Sequence, residues 1–550
     1  MTPTKEINTT TGYELPSYPF QPPPDLQLER PRRYRIAIVG GGLAGLTAAC
    51  DLAVRGIETV LLDDDNTVGV RGASSRGMVY AQKTLEIMER LGIYRRIHQK
   101  GITWSVGRTM TGGDEVYSFD RASDNASQQS AFINLQQFYL EWYLVDRITE
   151  LGKTDLRWNN KVTGAEHLDD GVRLSVETPA GNYQLDADWV IDAAGIHSAI
   201  REGFGLDTHA ARSVDRWCIC DVRFKKPLPV ERWTWVEAPF NQNRAVWQHL
   251  MADNVWRLDY QMDPDADAAH VSQLDVAAER VRAHVGADTE FEMVWVGPWQ
   301  YRTQLLDSFR LGRIFFAGDV AHVVSPFGAR GGNSGIQDAD NLSWKLALVV
   351  NGQAPDALLD SYHHERHAAA VENIKVTSRT SRFLAPTSLF ERIMRKAVLD
   401  LAREYPFARA LVNTGRLSVP NDYPDSPIVQ NGGHSVPNLP MGLPDRTVSN
   451  LVELSRSHGT AYLGICFKHP GPDQLDAIRE LASRYRCFAI YLCNVEGAGL
   501  PTLRDDGALA RAVGAECGFA LLRPDLHVAG SLQHVTATQA EALLKRALGY

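Results

Sequence analysis

Several features are scarce in the 550-residue sequence, and each absence narrows the class of protein. No apolar run approaches the roughly 20 residues that a membrane-spanning helix needs. The first ten residues, MTPTKEINTT, lack the apolar segment that a secretory signal carries. Positive charge is not in excess, because the net charge is −9, and a nucleic-acid partner is therefore not expected. These absences predict a cytoplasmic protein without a membrane span.

Paired cysteines are also lacking. The seven cysteines are odd in number and scattered, and no C-x-x-C occurs, so we interpret them as buried free thiols of a reducing compartment. Cys218 and Cys220 alone have a spacing that metal ligands could use. No second pair or histidine cluster stands near them, so no metal site is predicted.

The composition is that of a globular chain, with 44% apolar and 22% charged residues. At roughly 150 residues per domain, the length predicts three or four units. The proline-rich residues 1–33 are interpreted as an extended arm on the surface, with a proline-motif ligand as the alternative. Residues 413–450 are rich in proline, glycine and asparagine and are typical of a linker.

A glycine-rich turn follows the first strand-like run, residues 35–39. The turn has the spacing Gly40-x-Gly42-x-x-Gly45, and Asp63 ends the next strand-like run. In such a unit the first glycine permits a tight turn, the second lets a pyrophosphate approach the backbone, and the third lets helix and strand pack closely.

The helix that begins in this turn adds an electrostatic reason for the same assignment. Its first residues, with Leu43 and Ala44 among them, offer free N–H groups and a partial positive charge to phosphates. The carboxylate of Asp63 can accept hydrogen bonds from a ribose diol. The sequence therefore predicts a dinucleotide site, without separating NAD from FAD.

A second glycine-rich stretch, GDVAHVVSPFGARGGNSG at 318–335, favours FAD. Gly318 and Asp319 end a strand-like run, where the carboxylate can accept hydrogen bonds from the hydroxyls of a ribityl chain. Gly331, Gly332 and Asn333 begin a helix, so their N–H groups can face the flavin N1–C2=O edge, where reduction places negative charge.

At these motifs the sequence resembles the single-component (class A) FAD-dependent aromatic hydroxylases. The motifs are GGGLAGL, GDVAH with PFGARGGNSGIQDADNLSWKLAL, and LLDSYHHER, which together span most of residues 34–385. The tail is similar to the thioredoxin-like domain of the phenol and 3-(3-hydroxyphenyl)propionate hydroxylase branch. By resemblance, Arg76 in GASSRGM and Gln137 in NLQQFYLE also contact the flavin. Without C-x-x-C, no dithiol chemistry is expected of the tail.

The resemblance implies an α/β fold. A Rossmann-like FAD-binding domain (GR2-type) would carry an inserted mixed or antiparallel β-sheet substrate domain and be followed by a thioredoxin-like domain. The predicted parts are the N-terminal arm (1–33), the discontinuous FAD-binding domain (34–101, 129–210 and 304–385), the substrate domain (102–128 and 211–303), a helical segment and linker (386–450), and the C-terminal domain (451–550).

One motif departs from the family. Its pattern D-G-x-x-S-x-V-R reads AGIHSAIR here, with Ala194 in place of the aspartate. In the family that acid is associated with the FAD pyrophosphate and with NAD(P)H handling. Asp192 would lie on the same face of an extended strand, two residues earlier, and we hypothesise that it partly substitutes.

The resemblance also implies the reaction. NADH or NADPH, admitted transiently, reduces FAD, and the reduced flavin reacts with O2 to a C4a-hydroperoxide that hydroxylates a phenolic ring. Pro326 either helps to place the ring or only shapes its turn, and His322 either contacts the flavin or satisfies the local backbone.

Residues 211–303 contain seven of the twelve tryptophans, which form either a sheet core or a pocket for a flat ligand. His249, Tyr260 and Tyr301 are the residues of this segment whose chemistry suits proton transfer, and Arg244 is a candidate for a substrate carboxylate.

Alternatives remain open. The same scaffold could support epoxidation or Baeyer–Villiger-type oxygenation, whereas a halogenase is disfavoured because no W-x-W-x-I-P motif occurs. A flavin-binding sensor without turnover is a further alternative, because Ala194 replaces the acid. The sequence also leaves open the donor, the ring substituents and whether the chain forms a homodimer.

Overall fold

The computed structural model describes residues 6–10, 13–69, 77–120, 127–412, 419–443, 448–494, 499–514 and 517–550. Arg76 lies outside the described residues.

The N-terminal arm is more ordered than the sequence predicts. Strands β1 (Glu6–Thr10) and β2 (Tyr13–Ser17) form an antiparallel hairpin. The ring of Tyr13 lies 4.9 Å from that of Phe138, and Tyr18 stacks on Trp158 at 4.5 Å. The prediction of an extended surface arm is therefore corrected, because these aromatic side chains are buried against the body of the protein.

The next part of the chain alternates strands and helices. Its strands are β3 (Arg32–Val39), β4 (Thr59–Leu62), β5 (Val79–Ala81), β6 (Ile102–Trp104), β7 (Val106–Thr111), β8 (Asp114–Asp120), β9 (Phe132–Asn134), β10 (Thr154–Arg157), β11 (Lys161–His167), β12 (Val172–Thr178) and β13 (Gly181–Asp192). Its helices are α1 (Leu43–Val54), α2 (Gln82–Leu91), α3 (Tyr94–Lys100) and α4 (Gln137–Leu151).

The middle part begins with long strands and ends with long helices. Its elements are α5 (Ala199–Gly203), β14 (Thr208–Phe224), β15 (Arg232–Ala238), β16 (Arg244–Met251), β17 (Val255–Gln261), α6 (Ala268–Val271), α7 (Leu274–Val285), β18 (Phe291–Leu306), β19 (Arg310–Leu311), β20 (Ile314–Phe316), β21 (His322–Val323), α8 (Gly331–Val350), α9 (Asp360–Leu384), α10 (Leu389–Glu404) and α11 (Pro406–Val412).

The C-terminal part is again mixed. Its elements are α12 (Leu451–Ser457), β22 (Tyr462–Cys466), α13 (Pro472–Arg484), β23 (Phe488–Cys493), β24 (Thr502–Leu503), α14 (Ala508–Val513), β25 (Phe519–Leu522), β26 (Val528–Leu532) and α15 (Ala537–Ala547).

The largest α/β unit is built on the sheet β10-β4-β3-β13-β12-β11, with β20 also paired to β13. Strands β10, β4, β3, β13 and β20 run parallel, and β11 and β12 join as an antiparallel hairpin. Helix α1 crosses from β3 to β4 and packs against α4 and α8. This arrangement confirms the predicted βαβ unit and its Rossmann-like character.

A second sheet has the order β21-β18-β14-β17-β16-β15-β7-β8. Most neighbours are antiparallel, and only β15 and β7 run parallel. One face packs against α7 through apolar side chains such as Cys220, Val246 and Leu258. The other face is lined by aromatic and charged residues, and it turns toward the glycine-rich segment that precedes α8.

The C-terminal unit is a five-stranded sheet, β24-β23-β22-β25-β26, flanked by helices. It is docked on the first unit, where Trp344 of α8 meets Tyr462 of β22 at 5.7 Å. Arg523 also donates to both carboxylate oxygens of Glu365, at 2.6 and 2.9 Å. The segment predicted as a linker is partly core, since Val436 is fully buried beneath the C-terminal sheet.

Within the ranges that the structure describes, no helix combines the length and apolar character that a bilayer crossing requires.

Candidate active site

Four parallel strands of the first sheet end level with one another. Val39 at the end of β3 pairs with Leu62 of β4 and with Asp192 of β13, which in turn pairs with Phe316 of β20. Ligands of open α/β sheets bind in the crevice outside such carboxyl ends. The two glycine-rich segments predicted from the sequence follow two of these strands, so the fold brings them to one crevice.

The three glycines of the first turn differ in the space around them. A Cβ on Gly40, whose φ is +104°, would lie 2.4 Å from the carbonyl oxygen of Ala193. A Cβ on Gly45 would lie 1.9 Å from the carbonyl oxygen of Gly40. Gly42 at the N-terminus of α1 has no atom within 4 Å of that position. The open space thus lies where a pyrophosphate would meet the helix N-terminus, so this turn fits FAD.

The N-termini of α1 and α8 converge at the second glycine-rich segment. A Cβ on Gly318 would lie 3.0 Å from Ala44, and one on Gly332 would lie 3.1 Å from Leu43. Bare backbone is therefore required where these helices meet. Gly331 and Gly332 open α8, so their N–H groups belong to the turn that has no helical acceptors.

Asp63 follows β4 at the same edge of the sheet. Its carboxylate accepts hydrogen bonds from the N–H groups of Gly41 and Asp65. Burial raises the pKa of Asp63 to about 6, although these N–H groups act against the rise. The remaining acceptor capacity of the carboxylate suits a ribose hydroxyl, as the sequence predicts.

Asp319 is exposed at the crevice. Buried residues on the other side of its turn hold the turn in place. The N–H of Gly318 donates to Asp338 at 3.0 Å. The same carboxylate contacts His322 Nε2 at 2.6 Å and Arg366 Nε at 2.6 Å. Burial alone would raise the pKa of Asp338, but His322 and Arg366 lower it to about 2.

The sequence left two roles open for His322, a contact with the flavin or with the local backbone. In the structure its imidazole bonds instead to Asp338, an acid of helix α8. Asp338 and Arg366 were not among the residues predicted from the sequence. The available signal was an acid two turns into the helix after GDVAH, together with the arginine of LLDSYHHER.

The turn between β21 and α8 carries unusual backbone angles. Gly328 has φ +108° and Ala329 has φ +52°, in the left-handed region that favours glycine. The side chain of Asn333 donates to Ala329 O at 2.6 Å and to Val79 O at 2.8 Å. Only the backbone N–H of Asn333 is therefore available to a flavin, because its amide clamps this turn. Pro326 lies at the start of the turn and is partly exposed.

Gln137 begins α4. Its Oε1 accepts from Gly77 N–H at 3.2 Å, and its Nε2 donates to Glu141 at 2.8 Å. Glu141 accepts from Gly69 N–H at 2.7 Å. Gln137 and Glu141 thus bind the two residues that flank the segment 70–76, in which Arg76 lies.

The structure argues against the substitution hypothesis for Asp192. This carboxylate is fully buried and accepts from the N–H of Ala194 and from the hydroxyl of Ser198. Burial raises its pKa to about 6. Asp192 therefore holds the turn that follows β13, and the exposed Ala194 presents no acid at this point of the crevice.

Aromatic rings form a packed cluster between the second sheet and the turn that carries Pro326. The ring of Phe327 lies 4.6 Å from Trp247, 5.5 Å from Tyr301 and 5.6 Å from Trp217. These residues come from β16, β18 and β14 and from the turn itself. The tryptophan-rich segment thus provides both a sheet core on one face and an aromatic wall on the other.

His249 lies on this same aromatic face, paired across the strands with Arg257. Its Nδ1 is buried without a hydrogen-bond partner among the described residues. Burial and the charges of Arg232 and Arg257 hold the pKa of His249 well below its ordinary value, so the imidazole is neutral at pH 7. Burial raises the pKa of Tyr301 well above its ordinary value.

Two of the predicted residues lie outside this aromatic cluster. Tyr260 lies on the opposite face of the sheet, where its hydroxyl contacts His284 Nδ1 at 3.0 Å against α7. Arg244 is paired with Asp263, so a local carboxylate already occupies its charge. The assignment of Tyr260 is corrected because the long-range register of the sheet decides which face a side chain occupies. The assignment of Arg244 is corrected because of its ion pair.

Comparisons with known proteins agree with this architecture. Residues 33–377 match the family described as "FAD binding domain". The chain is 30% identical to rifampicin monooxygenase from Streptomyces venezuelae over 67% of this chain and 75% of that protein. It is 25% identical to 3-(3-hydroxy-phenyl)propionate/3-hydroxycinnamic acid hydroxylase from Mycolicibacterium smegmatis, over 70% of this chain and 67% of that protein.

Among solved structures, the flavin-dependent monooxygenase PieE in complex with FAD and substrate is similar, with a TM-score of 0.78 and 21% identity. The match covers 94% of this chain and 99% of that one, so it includes the C-terminal unit. The chain belongs to the FAD binding domain family of flavoprotein monooxygenases. The predicted fold class, family resemblance and FAD cofactor are confirmed.

Proposed function

We propose that this FAD-dependent monooxygenase hydroxylates a phenolic aromatic compound with NADH or NADPH as electron donor and O2 as oxidant. The observation that carries the proposal is the cavity that Trp247 and Phe327 line together with Gly328 of the turn before α8. An aromatic ring in this cavity would meet Trp247 and Phe327 by stacking and edge contacts. The relatives named rifampicin monooxygenase and 3-(3-hydroxy-phenyl)propionate/3-hydroxycinnamic acid hydroxylase support the reaction class.

The flavin-side residues would act by holding the cofactor. Gly42 gives the pyrophosphate access to the N-terminus of α1, and Asp63 and Asp319 accept hydrogen bonds from hydroxyls of FAD. The N–H groups of Gly331 and Gly332 stabilise negative charge near the reducible ring. When bound, FAD supplies the redox and oxygen chemistry.

The sheet-side residues would orient the substrate and exclude water. Trp247 and Phe327 line the cavity with apolar surface. The backbone around Pro326 would help to place the substrate ring. His249 Nδ1 has no hydrogen-bond partner among the described residues, so we assign it the phenolic proton, with Tyr301 as a relay. A neutral imidazole has one nitrogen that can accept a proton.

The electron donor would enter the same crevice transiently, because the sequence has one G-x-G-x-x-G unit and FAD uses it. The alternative, a flavin-binding sensor without turnover, rests on Ala194, which leaves the crevice without the acid found in the family.

One experiment separates these functions. The purified, FAD-loaded protein is mixed with NADH or NADPH and a panel of phenols, and donor consumption and products are measured together. Phenol-stimulated consumption coupled to a hydroxylated product is expected. Flavin that neither donor reduces, with or without phenols, would instead support the sensor.

We further propose that the protein is cytoplasmic and that it forms a homodimer. A cytoplasmic location is supported by the free thiols, and a homodimer is tested by light scattering of the FAD-loaded protein during size-exclusion chromatography.

A further inference from the structure

The cavity lined by Trp247 and Phe327 contains a cation that no carboxylate of the described residues bonds. Arg232 lines this cavity together with Thr234, Trp247, Phe327 and Gly328. The guanidinium carbon of Arg232 lies 5.6 Å from the centre of the Trp247 ring. Its Nε is buried and has no hydrogen-bond partner among the described residues.

The other arginine of the cavity differs in this respect. Arg108 donates to Glu115 at 2.7 Å and to both oxygens of Glu231, at 2.5 and 2.9 Å. Its charge is therefore compensated at the rim by two carboxylates. Arg232, one residue beyond Glu231 in sequence, makes no such ion pair within the described part of the chain.

The nearest acidic group deeper in the sheet is also occupied. Asp259 attracts Arg232 electrostatically but accepts its hydrogen bond from Arg257 Nε, at 2.9 Å. Burial lowers the pKa of Arg232 to about 10, which still leaves the side chain charged at neutral pH. Arg232 is thus a partly buried cation whose Nε is unpaired at the cavity, and the anion of a ligand would compensate it.

We propose that Arg232 is an anion-binding residue of the substrate cavity and that the substrate carries a carboxylate on its aromatic framework. This inference rests on the proposed function and names the substrate class. The ring would lie in the cavity against Trp247 and Phe327, and the carboxylate would accept hydrogen bonds from the guanidinium, whose planar fork matches it. The hydroxyl of Thr234, on the same wall, offers a further donor.

Binding of a matched pair of probes tests the proposal without turnover. The probes are 3-(3-hydroxyphenyl)propionate and its amide, titrated into the FAD-loaded protein and followed through flavin absorbance and by calorimetry. The unmodified protein should bind the carboxylate at least about 10-fold more tightly than the amide. Arg232→Gln should weaken carboxylate binding by about 10- to 100-fold and leave the amide nearly unchanged, since hydrogen bonds to charged groups have this strength.

Two variants make the result specific. Arg232→Lys should retain part of the preference for the carboxylate, and Arg108→Gln should retain all of it, because Arg108 is already paired. Equal affinity for the two probes in the unmodified protein overturns the proposal, as does an unchanged preference in Arg232→Gln. An Arg232→Gln protein that loses both probes while keeping FAD and its melting temperature also overturns it.

Turnover is measured separately, so the two proposals can fail independently. Tight, Arg232-dependent binding without hydroxylation would contradict the proposed function and leave the anion site intact. Hydroxylation of the amide as efficiently as the acid would contradict the anion site and leave the proposed function intact.

Discussion

The two walls of the crevice are made of different material. The flavin-side wall presents backbone, with Gly42, Gly318 and Gly332 at positions where side chains would collide or block a ligand. The sheet-side wall presents large side chains, among them Trp247 and Arg232. Backbone groups suit a cofactor that every turnover uses, whereas side chains can be replaced to suit different substrates.

The difference predicts where substitutions act. A change on the flavin-side wall should abolish cofactor binding or folding, since backbone cannot move aside cheaply. A change on the sheet-side wall should alter reaction and specificity while FAD stays bound. Each experiment below tests one part of this contrast.

The largest effect is expected within the first glycine turn. Gly45→Ala places a Cβ 1.9 Å from Gly40 O, so helix α1 and strand β3 must separate, at a cost of about 1–3 kcal/mol or more. Gly42→Ala meets no atom within 4 Å, so it should fold within about 0.5 kcal/mol of the original. Both variants should lose FAD, measured by flavin absorbance after purification.

Thermal unfolding of the FAD-free proteins separates the two causes. Gly42→Ala should match the FAD-free parent, and Gly45→Ala should melt earlier. If Gly42→Ala retained FAD fully, the proposal that the pyrophosphate binds at the N-terminus of α1 would be wrong.

On the opposite wall, His249→Gln should leave FAD bound and its reduction by NAD(P)H unchanged. Hydroxylation should fall by about 10²-fold or more, because a general base contributes on that scale. Rapid-reaction measurements of flavin reduction and product yield in the same sample check this. An unchanged product yield would show that His249 only packs in the sheet.

The flavin-side wall could be predicted from sequence because it depends on local spacing. The first glycine-rich turn places three glycines, a strand end and a helix N-terminus close together in sequence. Gly318 and Asp319 likewise directly follow a strand. The buried cluster of Asp338, His322 and Arg366 could not be predicted, because α8 and α9 bring it together.

The sheet-side wall depended on information that one strand does not contain. Alternation shows which residues of β17 share a face, but the pairing of Tyr260 with Val246, and the cover that α7 provides, decide which face packs against α7. The same limit applies to residues 419–443, whose linker-like composition hides their contacts with the C-terminal sheet.

A pH-dependent effect is expected at the edge between the walls. Burial raises the pKa of Asp192 to about 6, whereas an unfolded aspartate titrates near 4. The stability that its bound proton provides is therefore full below about pH 4 and is lost as pH rises through 6. Asp192→Asn lacks this group, so relative to the parent it should gain up to about 3 kcal/mol between pH 4 and 8.

Urea unfolding of both proteins across this pH range measures the gain, and Ser198→Ala controls for the lost hydroxyl contact. Flavin reduction by NADH and NADPH should stay within about twofold in Asp192→Asn, because the carboxylate is buried. A large fall in either rate would restore the hypothesis that Asp192 handles the donor.

The smallest effect compares two tyrosines on opposite faces of one sheet. Tyr260→Phe removes only the contact with His284, so it should lower stability by about 1 kcal/mol and leave turnover unchanged. Tyr301 packs against Phe327 in the aromatic cluster. Tyr301→Phe should slow hydroxylation without changing flavin content. Steady-state hydroxylation and urea unfolding of the pair check both statements. Equal loss of activity in the two variants would mean that sheet rigidity, and not the face that a side chain occupies, controls the reaction.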